Sequence, residues 1–140
     1  MQLTQPIDCE WALAQDIAEF LPQGWDVGAQ PAPDSMDGSV CMVRISCDGG
    51  RAVTAVSDEF TVSIDVWVGS GDDYAQAVDA AAKIAGVVGS MPIRSPSSGR
   101  EWKTAEPYNR PQPNPDRNHS DIPRVSQIWA VGIRGDSIGF

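Results

Sequence analysis

The chain is poor in the residues that carry catalysis and in those that staple small folds. One histidine and three cysteines are spread over 140 residues, and no pair of them has the spacing of a metal knuckle or a redox motif. Cys9, Cys41 and Cys47 are odd in number and lack CxxC spacing, which argues against a disulfide framework and a zinc site; they are expected to be reduced. No segment approaches the roughly 20 consecutive apolar residues of a membrane span. The opening MQLTQPIDCEWALAQ has no basic leader before an apolar run, so the chain is expected to act in cytoplasm or inside a particle assembled there.

Basic residues are scarce in the first two thirds. Residues 1–93 carry three basic and fourteen acidic side chains, a net −11, whereas residues 94–124 carry six basic and four acidic, a net +2. Nucleic-acid binding draws on a cationic patch that releases counterions. An acidic body opposes it, and no specific nucleic-acid binding is expected.

What is present is the periodicity of one mixed α/β domain over residues 1–140, long enough to bury a core without staples. Asp8 to Leu21 places Trp11, Ala14, Ala18 and Leu21 at helical spacing, with Leu13, Ile17 and Phe20 beside them, and Pro22 and Gly24 end the helix. Trp25, Val27 and Ala29 suggest a short strand before an exposed Pro-rich turn, AQPAPDSMDG. From Val40 to Cys47 the odd positions Cys41, Val43, Ile45 and Cys47 face inward at period two, and both cysteines act there as small hydrophobes. After the loop CDGGRAVTAVSD comes the clearest strand, with Phe60, Val62, Ile64, Val66 and Val68 on one face. Trp67 stands on the other face among Thr61, Ser63 and Asp65. A large aromatic there either packs under a helix of its own chain or meets another subunit.

The stretch VWVGSGDDYAQAVDAAAK runs from that strand through a Gly-Ser-Gly turn into a helix. A dinucleotide fingerprint needs a third glycine where Tyr74 stands. Asp72 and Asp73 would also repel a phosphate from the helix start. The turn therefore reads as an ordinary strand-to-helix connection. The helix carries Tyr74, Ala77, Val78, Ala81, Ile84, Ala85 and Val88 on one stripe, with Gly86, Gly89 and Pro92 fraying and stopping it. Residues 94–124 hold six of the eleven prolines and read as an extended basic arm, with a strand only at REWKTAE. Val125, Trp129, Val131 and Ile133 form a closing strand, and the tail DSIGF is expected at the surface.

No nucleophile and base, tuned carboxylate pair or metal-ligand set shows distinctive spacing. Asp34, Asp37 and Asp48 lack calcium-loop register, and His119 lies among polar turn formers. The chain reads as non-enzymatic, with no catalytic, cofactor or metal residues. The contrary reading is a nucleotide- or thiol-dependent enzyme built on Gly69-Ser70-Gly71, or on Cys47 with His119.

In its layout, LPQGW after the first helix, IDVWVGS running into DDYAQAVDAA, and EPYNRPQPNPD before the last strand, the chain resembles the tail terminator proteins of long-tailed bacteriophages, especially those of actinobacterial hosts. The resemblance covers nearly the whole chain. It implies a small, mostly antiparallel sheet of four to five strands flanked by two helices, in a subunit that forms a homo-oligomeric ring, a hexamer in that family. Such a ring caps the tail tube of the virion, stops its polymerisation and offers an attachment face to the neck. The implied partners are other copies of the chain, the major tail tube protein and a neck or head-completion protein, with DNA passing through the ring; neither a membrane nor a cofactor is implied. Another neck protein, a head–tail connector or tail-completion protein, has the same ring logic. The candidate subunit contacts are Trp67, Trp102, Tyr108, Arg110, Arg117 and Arg124, the arm clasping an acidic neighbour.

Overall fold

The structure is a computed structural model that describes residues 4–137. In chain order its elements are β1 (Thr4–Gln5), α1 (Cys9–Glu19), β2 (Asp26–Ala29), β3 (Met42–Ala52), β4 (Ser57–Trp67), α2 (Ala75–Ser90), β5 (Trp102–Pro107), β6 (Gln112–Pro113), β7 (Arg124–Arg134) and β8 (Asp136–Ser137), with 3-10 turns at Met91–Ile93 and Arg117–His119. Among the described residues, six strands form the main sheet in the order β2-β3-β4-β7-β5, with β6 also paired to β7. Only β2 runs parallel to its neighbour; the other pairings are antiparallel. The fold is thus mixed α and β, a small, mostly antiparallel sheet with two helices. Of the tail, Asp136–Ser137 pairs with Thr4–Gln5, and its last three residues lie outside the described residues.

Period-two alternation decides which side of the sheet the helices take. Val43 and Ile45 of β3, Val62, Ile64 and Val66 of β4, and Val125, Trp129, Val131 and Ile133 of β7 enter one buried cluster with Leu13 and Ile17 of α1 and Ala77, Ala81, Ile84 and Val88 of α2. Both helices therefore cover the same face. Each fully buried branched side chain contributes roughly 1.5–3 kcal/mol, so this layer dominates stability. The small Ala77, Ala80 and Ala81 let α2 lie close to the strands.

Several local readings need correction. The inward stripe of α1 is Cys9, Ala12, Leu13, Ala14, Asp16 and Ile17, while Trp11 and Ala18 point outward. A charged residue, Asp16, occupies the buried stripe because partners from 82 to 86 residues away reach it. The strand β3 continues past Cys47, through a bulge between Cys47 and Gly50, to Ala52, so most of the expected loop is hairpin. The helix α2 starts at Ala75, with Asp73 accepting from the Ala75 N–H at 3.0 Å just before it. Gly86 and Gly89 lie within α2, and a side chain at Gly89 would meet the Trp129 ring at 3.4 Å. A Cβ there would make only ordinary van der Waals contact, and neither glycine frays the helix, which runs on to Ser90.

The Pro-rich segment 94–124 lies along its own subunit. Its strand β5 pairs with β7, and β6 pairs with Ser126 and Val125 of the same strand. The Ser97 N–H donates to the Glu19 carboxylate at 2.9 and 3.1 Å, tying the segment to the end of α1.

Candidate subunit-contact surface

Two tryptophans expected at a subunit interface are core residues. Trp102 is 4 % exposed and belongs to the main cluster. Its indole Nε1 donates to Asp16 Oδ2 at 2.8 Å, while Asp16 Oδ1 accepts from Ser98 Oγ at 2.8 Å and from Arg100 Nη1 at 3.0 Å. Arg100 also donates to Gln15 Oε1 at 2.8 Å and lies 5.1 Å over the Trp11 ring. Three donors thus satisfy a carboxylate that would otherwise be buried at high cost. The hydrophilic look of REWKTAE conceals an inward Trp102, because its partners come from α1.

Trp67 is 2 % exposed and forms a second cluster with Met42 and Ile122, against which Ala32 and Met36 pack. This cluster lies on the face opposite the helices, since Trp67 pairs with Met42 across β3 and with Arg124 across β7. The cover is neither a helix nor another subunit. It comes from the Pro-rich turn before β3 and from the segment before β7. That turn, expected to be exposed, has Ala32 and Met36 partly buried for this reason. Arg124 stacks 5.7 Å over the Trp67 ring and donates through Nε to the Asn114 carbonyl at 2.6 Å, so it too is engaged inside its own subunit.

His119 closes the second cluster. Its Nδ1 is 2.9 Å from Asp116 Oδ2 and its Nε2 is 3.0 Å from the Asp34 carbonyl, while Trp67 Nε1 donates to the same Asp116 oxygen at 3.3 Å. Both ring nitrogens face acceptors, and only the imidazolium can donate to both. The hydrogen bond with Asp116 raises the His119 pKa, partly offset by burial and reinforced by the Asp34 carbonyl and the Asp116 charge. For Asp116, burial alone would raise the carboxyl, but bonds from His119, the Asn118 N–H and Trp67, with the charge of Arg124, hold it below its ordinary value.

The sequence-level enzyme alternatives do not assemble. Cys47 faces the helix side of the sheet, His119 packs over Trp67 on the other side, and the five steps along β3 from Met42 to Cys47 span roughly 17 Å at strand rise. In the Gly-Ser-Gly turn, Gly69 N–H donates to the Gly38 carbonyl at 3.2 Å and Gly71 N–H to the Asp121 carbonyl at 2.8 Å, so two of its donors are already taken. Gly69 and Gly71 hold φ of +89° and +67°, where a side chain is strained. Among the described residues, no cluster of His, Cys, Asp and Glu is arranged to hold a metal ion, and no helix is long and apolar enough to cross a membrane.

No protein-family model matches the chain, and no curated protein matches it.

Of the expected contact residues, Tyr108, Arg110 and Arg117 are exposed, Tyr108 by 64 %. Arg110 and Arg117 make no ion pair among the described residues. Tyr108 and Arg110 flank a depression of about 430 Å³ whose wall includes Pro107, Pro111, Ala85 and the edge of Trp129. The crossing from β5 to β6 positions them. Tyr108 N–H donates to the Ile128 carbonyl at 2.9 Å, and Asn109 Oδ1 accepts from the Ile128 N–H at 2.8 Å. The backbone is therefore clamped to β7 while the Tyr108 ring projects outward. Behind the depression, Gln127 is buried and bridges Trp129 Nε1 and the Ala81 carbonyl at 2.8 and 3.0 Å, keeping the floor rigid. Gln127 did not stand out in the sequence, where it occupies an ordinary inward strand position.

Proposed function

We propose that the chain is a structural subunit of a bacteriophage tail, a tail terminator that assembles as a homo-oligomeric ring, caps the tail tube and offers the neck its attachment face. The reading rests on the resemblance in layout and on one surface feature. An exposed Tyr108 and an Arg110 with no ion pair among the described residues stand on a clamped backbone beside an apolar depression, in a segment whose positive charge is opposite to that of the body. Aromatic and arginine side chains on a rigid base are the usual anchors of protein contacts. An acidic neighbouring subunit supplies the complementary charge, which guides encounter and register more than affinity. The contact moves from the buried tryptophans to the β5–β6 crossing, and the clasp is narrower than a free arm. DNA passing through an acidic ring is repelled rather than held.

Negative-stain imaging of the purified protein, alone and mixed with tail tubes, tests this. Rings at tube ends are expected. A protein that stays monomeric at high concentration and leaves tube ends bare overturns the reading.

A further inference from the structure

The three cysteines are isolated in sequence, yet the fold brings two of them together. Cys9 opens α1 and is buried; Cys47 sits at the bulge of β3 and is half-buried. Cys9 lies in the main buried cluster and Cys47 packs against that cluster, near enough for each thiol to perturb the other's ionisation. A second contact holds the same junction: Glu10 Oε1 accepts from the Cys47 N–H at 2.8 Å, fixing the bulge against the first turn of the helix. Cys47 Sγ also lies 3.5 Å from the Gly49 carbonyl, which keeps it at the rim of the core. Cys41 is elsewhere, six residues back in the chain, just before β3 begins, and roughly 20 Å away for an extended chain.

We propose that Cys9 and Cys47 are a reversible redox pair, forming an intramolecular disulfide that staples the start of α1 to the β3 bulge when the chain meets a disulfide oxidant.

The chemistry is thiol–disulfide exchange with a small disulfide such as oxidised glutathione. The Cys47 thiolate, the more accessible, attacks one sulfur of the oxidant and releases one small thiolate. The Cys9 thiolate then attacks Cys47 Sγ in the mixed disulfide, forming the internal bond and releasing the second small thiolate. Two protein thiols lose two electrons and two protons, and one small disulfide becomes two small thiols. Burial pushes both thiols above their ordinary range, Cys9 the further, so the exchange is slow at neutral pH and faster as pH rises. In a reducing cytoplasm both remain thiols. Under oxidising conditions the closed loop from residue 9 to residue 47 restrains the unfolded chain and stabilises the fold.

The test is incubation of the full-length chain with oxidised glutathione at mildly alkaline pH, followed by intact mass and a non-reducing peptide map. The expected product is lighter than the reduced protein by about 2 Da, carries a Cys9–Cys47 cross-link, keeps Cys41 alkylatable and melts several degrees higher until dithiothreitol reverses it. The Cys41→Ser variant should behave identically, and Cys9→Ser should stop at a glutathione adduct on Cys47. A wild-type protein that also stops at that adduct, a cross-link involving Cys41, or a Cys9–Cys47 bond that forms only in urea overturns the proposal.

Discussion

Trp102 and Asp16, 86 residues apart in sequence, meet at 2.8 Å inside the core, the indole N–H donating to a carboxylate that is 1 % exposed. This contact locks the start of the Pro-rich segment to the first helix, and it shows why that segment is part of the subunit body. Asp16→Ala would leave the buried Trp102 N–H without its acceptor and Arg100 without its carboxylate partner. Removing one partner of such a buried group costs about 3–5 kcal/mol. Urea titration should show a lower midpoint at unchanged slope, and Asp16→Ala combined with Trp102→Phe should cost less than the two single changes summed.

Trp67→Ala tests the second cluster. With the ring buried between Met42, Ile122 and the turn before β3, the change should destabilise the isolated subunit by about 3–5 kcal/mol, as for other buried aromatics. Circular-dichroism melting of the monomer measures it. A variant that melts like the wild type but fails to assemble would return Trp67 to an interface.

Tyr108→Ala and Arg110→Ala should do the reverse. Both side chains are exposed, so monomer stability should stay within about 0.5 kcal/mol. Ring formation or capping of tube ends should weaken by roughly 2 kcal/mol or more for the aromatic anchor. Light scattering against concentration separates the two effects.

The His119 clasp should be pH dependent. Its folded pKa is raised, so its contribution is complete below the unfolded value of about 6.5 and is lost as pH rises through the higher folded value. The folded pKa of Asp116 is lowered. Its contribution is complete above about 3.9 and is lost as pH falls through the lower folded value. The clasp is therefore strongest between the two. Chemical denaturation from pH 5 to 9 should show a fall on the alkaline side that His119→Gln abolishes; an unchanged profile would remove His119 from the account.

Duplex DNA should not be retained by the free protein at physiological salt. Residues 1–93 carry a net −11, which repels phosphate over a screening length of about 8 Å. Fluorescence anisotropy with a labelled duplex checks this, and salt-dependent micromolar binding would contradict it.

The sequence by itself determined the layers. Alternation at Val62, Ile64 and Val66 and helical spacing at Ala77, Ala81, Ile84 and Val88 say which side of each element is apolar, because burial of apolar surface selects one face at period two or 3.6. It also gave the strand within REWKTAE and the closing strand. What covers the other face was decided only by tertiary structure. Periodicity reports that Trp67 points away from the main core, but its cover comes from Ala32, Met36 and Ile122, distant in the chain. The same holds for Asp16, which reads as a polar break in the α1 stripe until Ser98, Arg100 and Trp102 arrive. Prolines in 94–124 announced extended backbone, since they fix φ and remove donors, and the chain is extended at β5 and at β6, a strand not expected from the sequence, but coils into a 3-10 turn at Arg117–His119. They could not announce that the extended chain lies along β7 of its own subunit, because hydrogen bonds such as Tyr108 N–H to Ile128 depend on where a strand ends up in space and leave no local mark in the sequence.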